Sequence, residues 1–98
     1  MRINLFLDIT HGTQGEYHCA RLIKDFDSDL RPMVGDTVVD EGLDGADVTK
    51  VTLDYANEVC AVYLNGPTID SEDLSSCIDD LVKSGWYLIF NKPTEHIE

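Results

Sequence analysis

The segment from Arg31 to Leu64 sets the terms for the rest of the chain. Its last part, Val59-Cys60-Ala61-Val62-Tyr63-Leu64, is apolar at every position. A strand of that kind is expected to be covered on both faces, and therefore central in a sheet. Just before it, residues 48–55 alternate. Thr49, Val51, Leu53 and Tyr55 fall on one side, and Val48, Lys50, Thr52 and Asp54 on the other. The spacer Tyr55-Ala56-Asn57-Glu58 joins the two runs as a tight turn, with Asn57 suited to the left-handed region. Asn65-Gly66-Pro67 ends the second run, because proline cannot donate to a ladder.

Earlier in the same segment, Pro32 keeps Arg31 out of helical geometry, and Gly35-Asp36 turns into the strand Thr37-Val38-Val39-Asp40. The phrase from Pro32 to Val38 is a turn-into-strand device common in small β-barrel proteins, and it carries no function across. An acidic turn follows, Asp40-Glu41-Gly42-Leu43-Asp44-Gly45.

At the N-terminus, Ile3, Leu5, Leu7 and Ile9 alternate with Asn4, Phe6, Asp8 and Thr10. That period of two means a strand with one face in the core. His11-Gly12-Thr13-Gln14-Gly15 reads as a turn. Residues 16–26 admit two readings. Cys19, Leu22, Ile23 and Phe26 have helical spacing, and Thr13-x-x-Glu16 has the form of a capping box. Gly15 would then fall in the helix's first turn, whereas a glycine-bearing turn between two apolar runs signals a hairpin. The preferred reading is a second strand, antiparallel to the first.

Ser71 is read as the N-cap of a helix, with Glu72 and Asp73 in a first turn where the dipole favours anions. Leu74, Cys77, Ile78, Leu81 and Val82 form its apolar stripe, and Gly85 suits the position just past its end. Trp86 to Phe90 is the last strand, Asn91-Lys92-Pro93 closes it, and residues 94–98 are expected to fray. The expected architecture is α+β: one domain over residues 1–98, with an antiparallel sheet of five or six strands. One helix from the C-terminal half packs on it, and a small open barrel is one form of the layout.

Composition narrows the function classes. The chain carries 19 Asp and Glu against 7 Lys and Arg, a net charge of −12. Direct contact with nucleic-acid phosphates needs Lys and Arg, and so does an anionic membrane, so neither is an expected partner. No apolar run approaches the ~20 residues of a membrane span. Cys19, Cys60 and Cys77 show no paired spacing and lie in apolar patterns, which reads as buried free thiols in a reducing cytoplasm.

Sites for chemistry are weak. The acidic turn overlays part of a calcium-loop pattern, with Asp40 first, Asp44 fifth and Gly45 sixth, but Val51 stands where the bidentate Glu is needed. His11 and His18 flank the first turn and are placed to approach across a hairpin, yet zinc needs further ligands, and His96 is in the expected tail. No serine lies in a nucleophile elbow, and no glycine-rich phosphate loop appears. The expectation is no enzyme, no metal and no cofactor.

Charge distribution is the feature that stands out. Asp25, Asp27, Asp29, Asp36, Asp40, Glu41, Asp44 and Asp47 crowd one part of the chain, opposed there by little positive charge. If their loops share one side of the sheet, the field steers a basic partner, raising on-rate more than affinity. The expected function is a non-enzymatic interaction module for a basic protein surface. Its sharper form is an inhibitor of the kind phages and mobile elements encode, with carboxylates where nucleic-acid phosphates would lie. The alternative is a structural homodimer, joined at a sheet edge or near Trp86, whose acid confers only solubility.

Overall fold

The alternation at the start of the chain becomes strand β1 (Arg2–Thr13) in the computed structural model, which describes residues 1–13 and 16–93. Ile3, Leu5, Leu7 and Ile9 are buried, as the period of two requires. Strand β2 (Glu16–Asp27) folds back antiparallel in unbroken register, from Arg2 opposite Asp27 to Thr13 opposite Glu16. The strand reading of residues 16–26 holds. The helical alternative fails because its stripe is split: Leu22 shares the buried face with Ala20, while Cys19 and Ile23 face the other way.

The remaining elements are β3 (Thr37–Asp40), β4 (Leu43–Asp54), β5 (Val59–Ile69), α1 (Ser71–Lys83) and β6 (Tyr87–Pro93). They build one open six-stranded sheet in the order β3-β4-β5-β1-β2-β6. The sheet is not wholly antiparallel, as the sequence reading had it: β5 runs parallel to β1. The apolar β5 takes the edge of β1 that β2 leaves free, and strands so far apart in the chain leave no local signal of their mutual direction. β6 is antiparallel to β2, and therefore parallel to β5. α1 carries the chain between them, crossing over β1 and β2 as parallel connections require.

Several element boundaries differ from expectation, each for a local reason. Opposite β5, the β4 register slips by one residue at Thr49, whose hydroxyl donates to the Tyr63 carbonyl at 3.3 Å. The bulge turns Val48 onto the same face as Val51 and Leu53, so strict alternation across residues 48–55 is broken. In the hairpin turn it is Glu58, at φ 55°, that takes the left-handed conformation rather than Asn57. Asn57 instead donates its side-chain amide and its N–H to the Asp54 carboxylate, at 2.8 and 3.1 Å. Those two bonds hold the Asp54 carboxyl below its usual range. β5 does not stop at Asn65: Gly66 and Pro67 form a bulge opposite Ile9, and the strand resumes at Thr68.

At the helix start, Asp70 occupies the N-cap and Ser71 is the first helical residue, its hydroxyl sharing a 3.2 Å hydrogen bond with His11 Nδ1. At the other end Gly85, at φ +99°, takes the expected role. Its N–H donates to the Val82 carbonyl and that of Trp86 to Leu81, the paired bonds of a Schellman stop. Leu74 and Leu81 are buried, Cys77 and Ile78 half-buried, and Val82 lies exposed outside the stripe. Trp86 is not a strand residue; it is buried at the end of the helix stop, and β6 begins at Tyr87. Of the expected first turn His11-Gly12-Thr13-Gln14-Gly15, the first three residues are strand instead, because they stay in register with His18, Tyr17 and Glu16 of β2; Gln14, Gly15 and the expected tail with His96 lie outside the described residues.

One face of the sheet meets α1 and forms the core, from Leu5, Leu7, Leu22, Cys60, Val62 and Leu64 to Leu81 and Trp86. The sheet curls around that helix. Lys24 of β2 places its ammonium 2.6 Å from Asp40 of β3 and 2.8 Å from the Ser84 carbonyl past α1, although three strands separate β2 from β3. The opposite face carries no described element, so β5 is covered on one face rather than two.

Candidate functional site

The structure disperses the eight carboxylates that the sequence groups. Asp25 and Asp27, two apart on β2, lie on the uncovered face at the end where β1 begins, and Asp25 accepts a 3.3 Å hydrogen bond from the Tyr87 hydroxyl. Asp29 follows in the exposed loop after β2. Asp36 closes a turn, accepting the Met33 N–H at 2.9 Å. Asp40 is half-buried and neutralised by Lys24 on the helix side. Glu41, Asp44 and Asp47 lie around the β3–β4 turn, with Asp47 accepting the Thr37 hydroxyl at 3.0 Å.

Seven of the eight are exposed, Asp40 being the exception. Among the described residues the ion pairs are Arg21 with Asp8 and Lys24 with Asp40, so those seven carboxylates carry their charge without a salt bridge. Six of them form two groups: Glu41, Asp44 and Asp47 with Asp36 around β3 and β4, and Asp25 and Asp27 on the far face of β2; Asp29 stands apart in the loop after β2.

A cavity of about 360 Å³ lies between the start of β4, the β5 bulge and α1. Leu7, Ile9, Leu43 and Leu81 are among its lining residues, as are Asp44 and Asp47. Two glycines among its lining residues leave no room for a side chain of their own. A Cβ on Gly66 would stand 2.5 Å from the Asp8 carbonyl oxygen. Gly42 holds φ +76°, a conformation the turn imposes and glycine tolerates. Cys77 reaches the same cavity, and burial, with the nearby Asp80 charge, raises its thiol above the ordinary range.

A second constellation was missed from sequence. On the uncovered face the rings of Phe6 and Tyr63 stack, with centroids 5.1 Å apart and planes 15° from parallel. The Arg21 guanidinium lies 5.8 Å from each of those rings and 5.4 Å from that of Phe90. Asp8 grips it with two bonds of 2.6 and 2.9 Å, raising the affinity of Arg21 for its proton. Lys50 stands 5.5 Å from the Tyr63 ring on the same face. Each residue reads as ordinary strand filler in one dimension. The signal was present once β1 and β2 were taken as a hairpin, since the register sets Asp8 opposite Arg21. Tyr63 joins only through the long-range parallel pair.

His11 and His18 do meet across the hairpin, stacked at 5.3 Å. Among the described residues no three His, Cys, Asp or Glu side chains gather as a metal site. Cys60 is buried as expected, but Cys19 and Cys77 are only half-buried. No helix among the described residues is long and apolar enough to cross a membrane. The fold thus defines an α+β domain, an open sheet curled on one helix, with an acidic exterior. Comparison with family models, curated proteins and solved structures found no match.

Proposed function

We propose that this protein is a non-enzymatic interaction module that docks a basic protein surface through the carboxylates around β3 and β4. The observation that supports the reading is the imbalance of pairing: Asp36, Glu41, Asp44 and Asp47 are exposed, close in the fold, and without an ion pair among the described residues. Unpaired carboxylates on a body of charge −12 repel one another, and a cationic partner relieves that repulsion. Asp40 drops out of the docking set because Lys24 already neutralises it. The sharper form of the proposal is an inhibitor whose carboxylates take the places of nucleic-acid phosphates on its target.

The test is binding of a fluorescent hexaarginine peptide across a salt series. The wild type is expected to bind at low salt and release steeply as salt rises, because the Debye length falls from ~30 Å at 0.01 M to ~8 Å at 0.15 M. Glu41→Gln with Asp44→Asn and Asp47→Asn should weaken binding far more than Asp25→Asn with Asp27→Asn. Equal losses from the two variants would remove the β3–β4 group from the proposal.

The homodimer reading rests on one observation. β6 is an outermost strand with no carboxylate, and Tyr87, Leu88 and Ile89 on it are 50, 42 and 47% exposed. Such an edge invites pairing with another strand. It predicts self-association that strengthens as salt screens the like charges, the reverse of the peptide result, and sedimentation in the same salt series separates the two.

A further inference from the structure

We propose that two copies of this chain pair through the uncovered face of the sheet, related by a two-fold axis that runs along the seam between β5 and β1. The inference goes beyond the docking function above and does not depend on it. It starts from what the strand registers set side by side on that face. Phe6 of β1 and Tyr63 of β5 stack across the seam, with Ile23 of β2 and Phe90 of β6 farther out on the same face. All four are half-buried, although no described element lies over them. Tyr87, whose hydroxyl reaches Asp25 on this face, is 50% exposed.

Charge favours a second copy as the occupant. Among the described residues, Arg2, Arg21 and Lys50 lie on this face against Asp8, Asp25, Asp27, Asp47 and Asp54. Over the whole chain 7 Lys and Arg stand against 19 Asp and Glu. Two chains of charge −12 therefore meet here with less repulsion than their overall charge implies.

The charges are also arranged so that the face fits itself, as a two-fold interface requires. Across the strands β4, β5, β1 and β2, one level reads Asp47, Asn65, Asp8 and Arg21. The next reads Lys50, Tyr63, Phe6 and Ile23, and the one after it Thr52, Ala61, Asn4 and Asp25. Packed sheets keep their strands within about 30° of alignment. An axis along the β5–β1 seam then lays β4 of one protomer on β2 of its partner with these levels matched. Asp47 meets the partner's Arg21, and Thr52 meets the partner's Asp25. Lys50 stands over the partner's Ile23, one level of ~6.6 Å from the partner's Asp25 and within reach of a long side chain. Phe6 covers the partner's Tyr63 at the centre, and every contact occurs twice. At the outer level Asp54 faces the partner's Asp27, and the partner's Arg2, opposite Asp27 in its own sheet, lies beside both. An axis across the strands at the level of Phe6 would instead lay Lys50 on the partner's Lys50.

Extent agrees. Six strands at ~4.8 Å, and the steps from Arg2 to Thr10 at ~3.3 Å each, outline roughly 29 by 26 Å, or about 750 Å². A stable interface of standard size buries about 800 Å² on each partner.

The experiment is sedimentation equilibrium of the full chain over a wide concentration range at 0.15 M salt, where the Debye length is ~8 Å. The wild type is expected to reach twice the chain mass. Lys50→Glu and Asp25→Lys should each weaken the dimer about tenfold or more, and the two together, which leave the net charge at −12, should restore it. Lys83→Glu on α1, with the same charge change as Lys50→Glu, should leave the dimer as it is. So should Ile89→Lys, which blocks pairing at the β6 edge. All four positions are exposed, so circular dichroism should show every variant folded. A wild type that stays monomeric overturns the inference and leaves this face to an unrelated partner. A dimer that Ile89→Lys dissolves and Lys50→Glu leaves intact overturns it in favour of the strand edge. A double variant no better than the single ones overturns it as well, because Lys50 and Asp25 then do not face each other.

Discussion

Arg21 shows how much a single side chain can organise on a sheet face that no described element covers. Its guanidinium is planar, so it lies against three aromatic rings and still presents a fork of donors to Asp8. The pair is partly exposed, 29 and 35% at the side chains, so solvent screens part of its Coulomb attraction. Geometry and stacking supply the rest. Arg21→Lys keeps the charge but loses the fork and the flat contact, and is expected to cost about 1 kcal/mol. Arg21→Ala also strips the stem from the rings and should cost about 2 kcal/mol. Urea denaturation of both variants checks the order; a lysine variant as stable as wild type would mean that charge alone holds this face.

Among the elements, the β3–β4 hairpin depends most on contacts outside its own strands. β3 has four residues and an interrupted register, too little to hold an edge unaided. Lys24 fastens it from β2, bridging Asp40 on β3 and the Ser84 carbonyl at the end of α1. The hairpin's turn rests against that same end, where a Cβ on Gly42 would meet the Ser84 hydroxyl oxygen at 2.8 Å. Lys24→Met keeps the stem and removes the ammonium, leaving the Asp40 carboxylate half-buried and unpaired. Hydrogen exchange should then quicken in β3 and the first half of β4, while β1, β2 and β5 keep their protection. Uniform loss across the sheet would show that Lys24 supports the core rather than the hairpin.

For the molecule as a whole the dominant electrostatic fact is self-repulsion. With a net charge of −12 and two ion pairs among the described residues, most carboxylates meet other carboxylates at long range. Added sodium chloride should therefore raise the melting temperature between 0.01 and 0.15 M, as the Debye length contracts from ~30 to ~8 Å. A falling melting temperature would mean that screening weakens the Arg21 and Lys24 pairs more than it relieves repulsion. The same screening weakens a basic partner's grip, so stability and binding should move in opposite directions along one salt axis.

Local pattern carried the elements. Alternation in β1, the apolar run in β5, the helical stripe from Leu74 to Leu81 and the glycine stop at Gly85 each express a period or a backbone need, and each is legible without knowing any neighbour. The hairpin of β1 and β2 belongs with them, since a turn between two apolar runs is a local event. The candidate site was legible only as composition: the sequence counts carboxylates, but whether a carboxylate meets a lysine depends on which strands become neighbours. Folding alone gave Asp40 to Lys24 and sent Asp25 and Asp27 to the far face. The parallel pairing of β5 with β1, the slip at Thr49 and the aromatic cluster around Arg21 share that origin. Each depends on residues more than a dozen positions apart being brought together by the fold, and a one-dimensional pattern contains no record of that pairing.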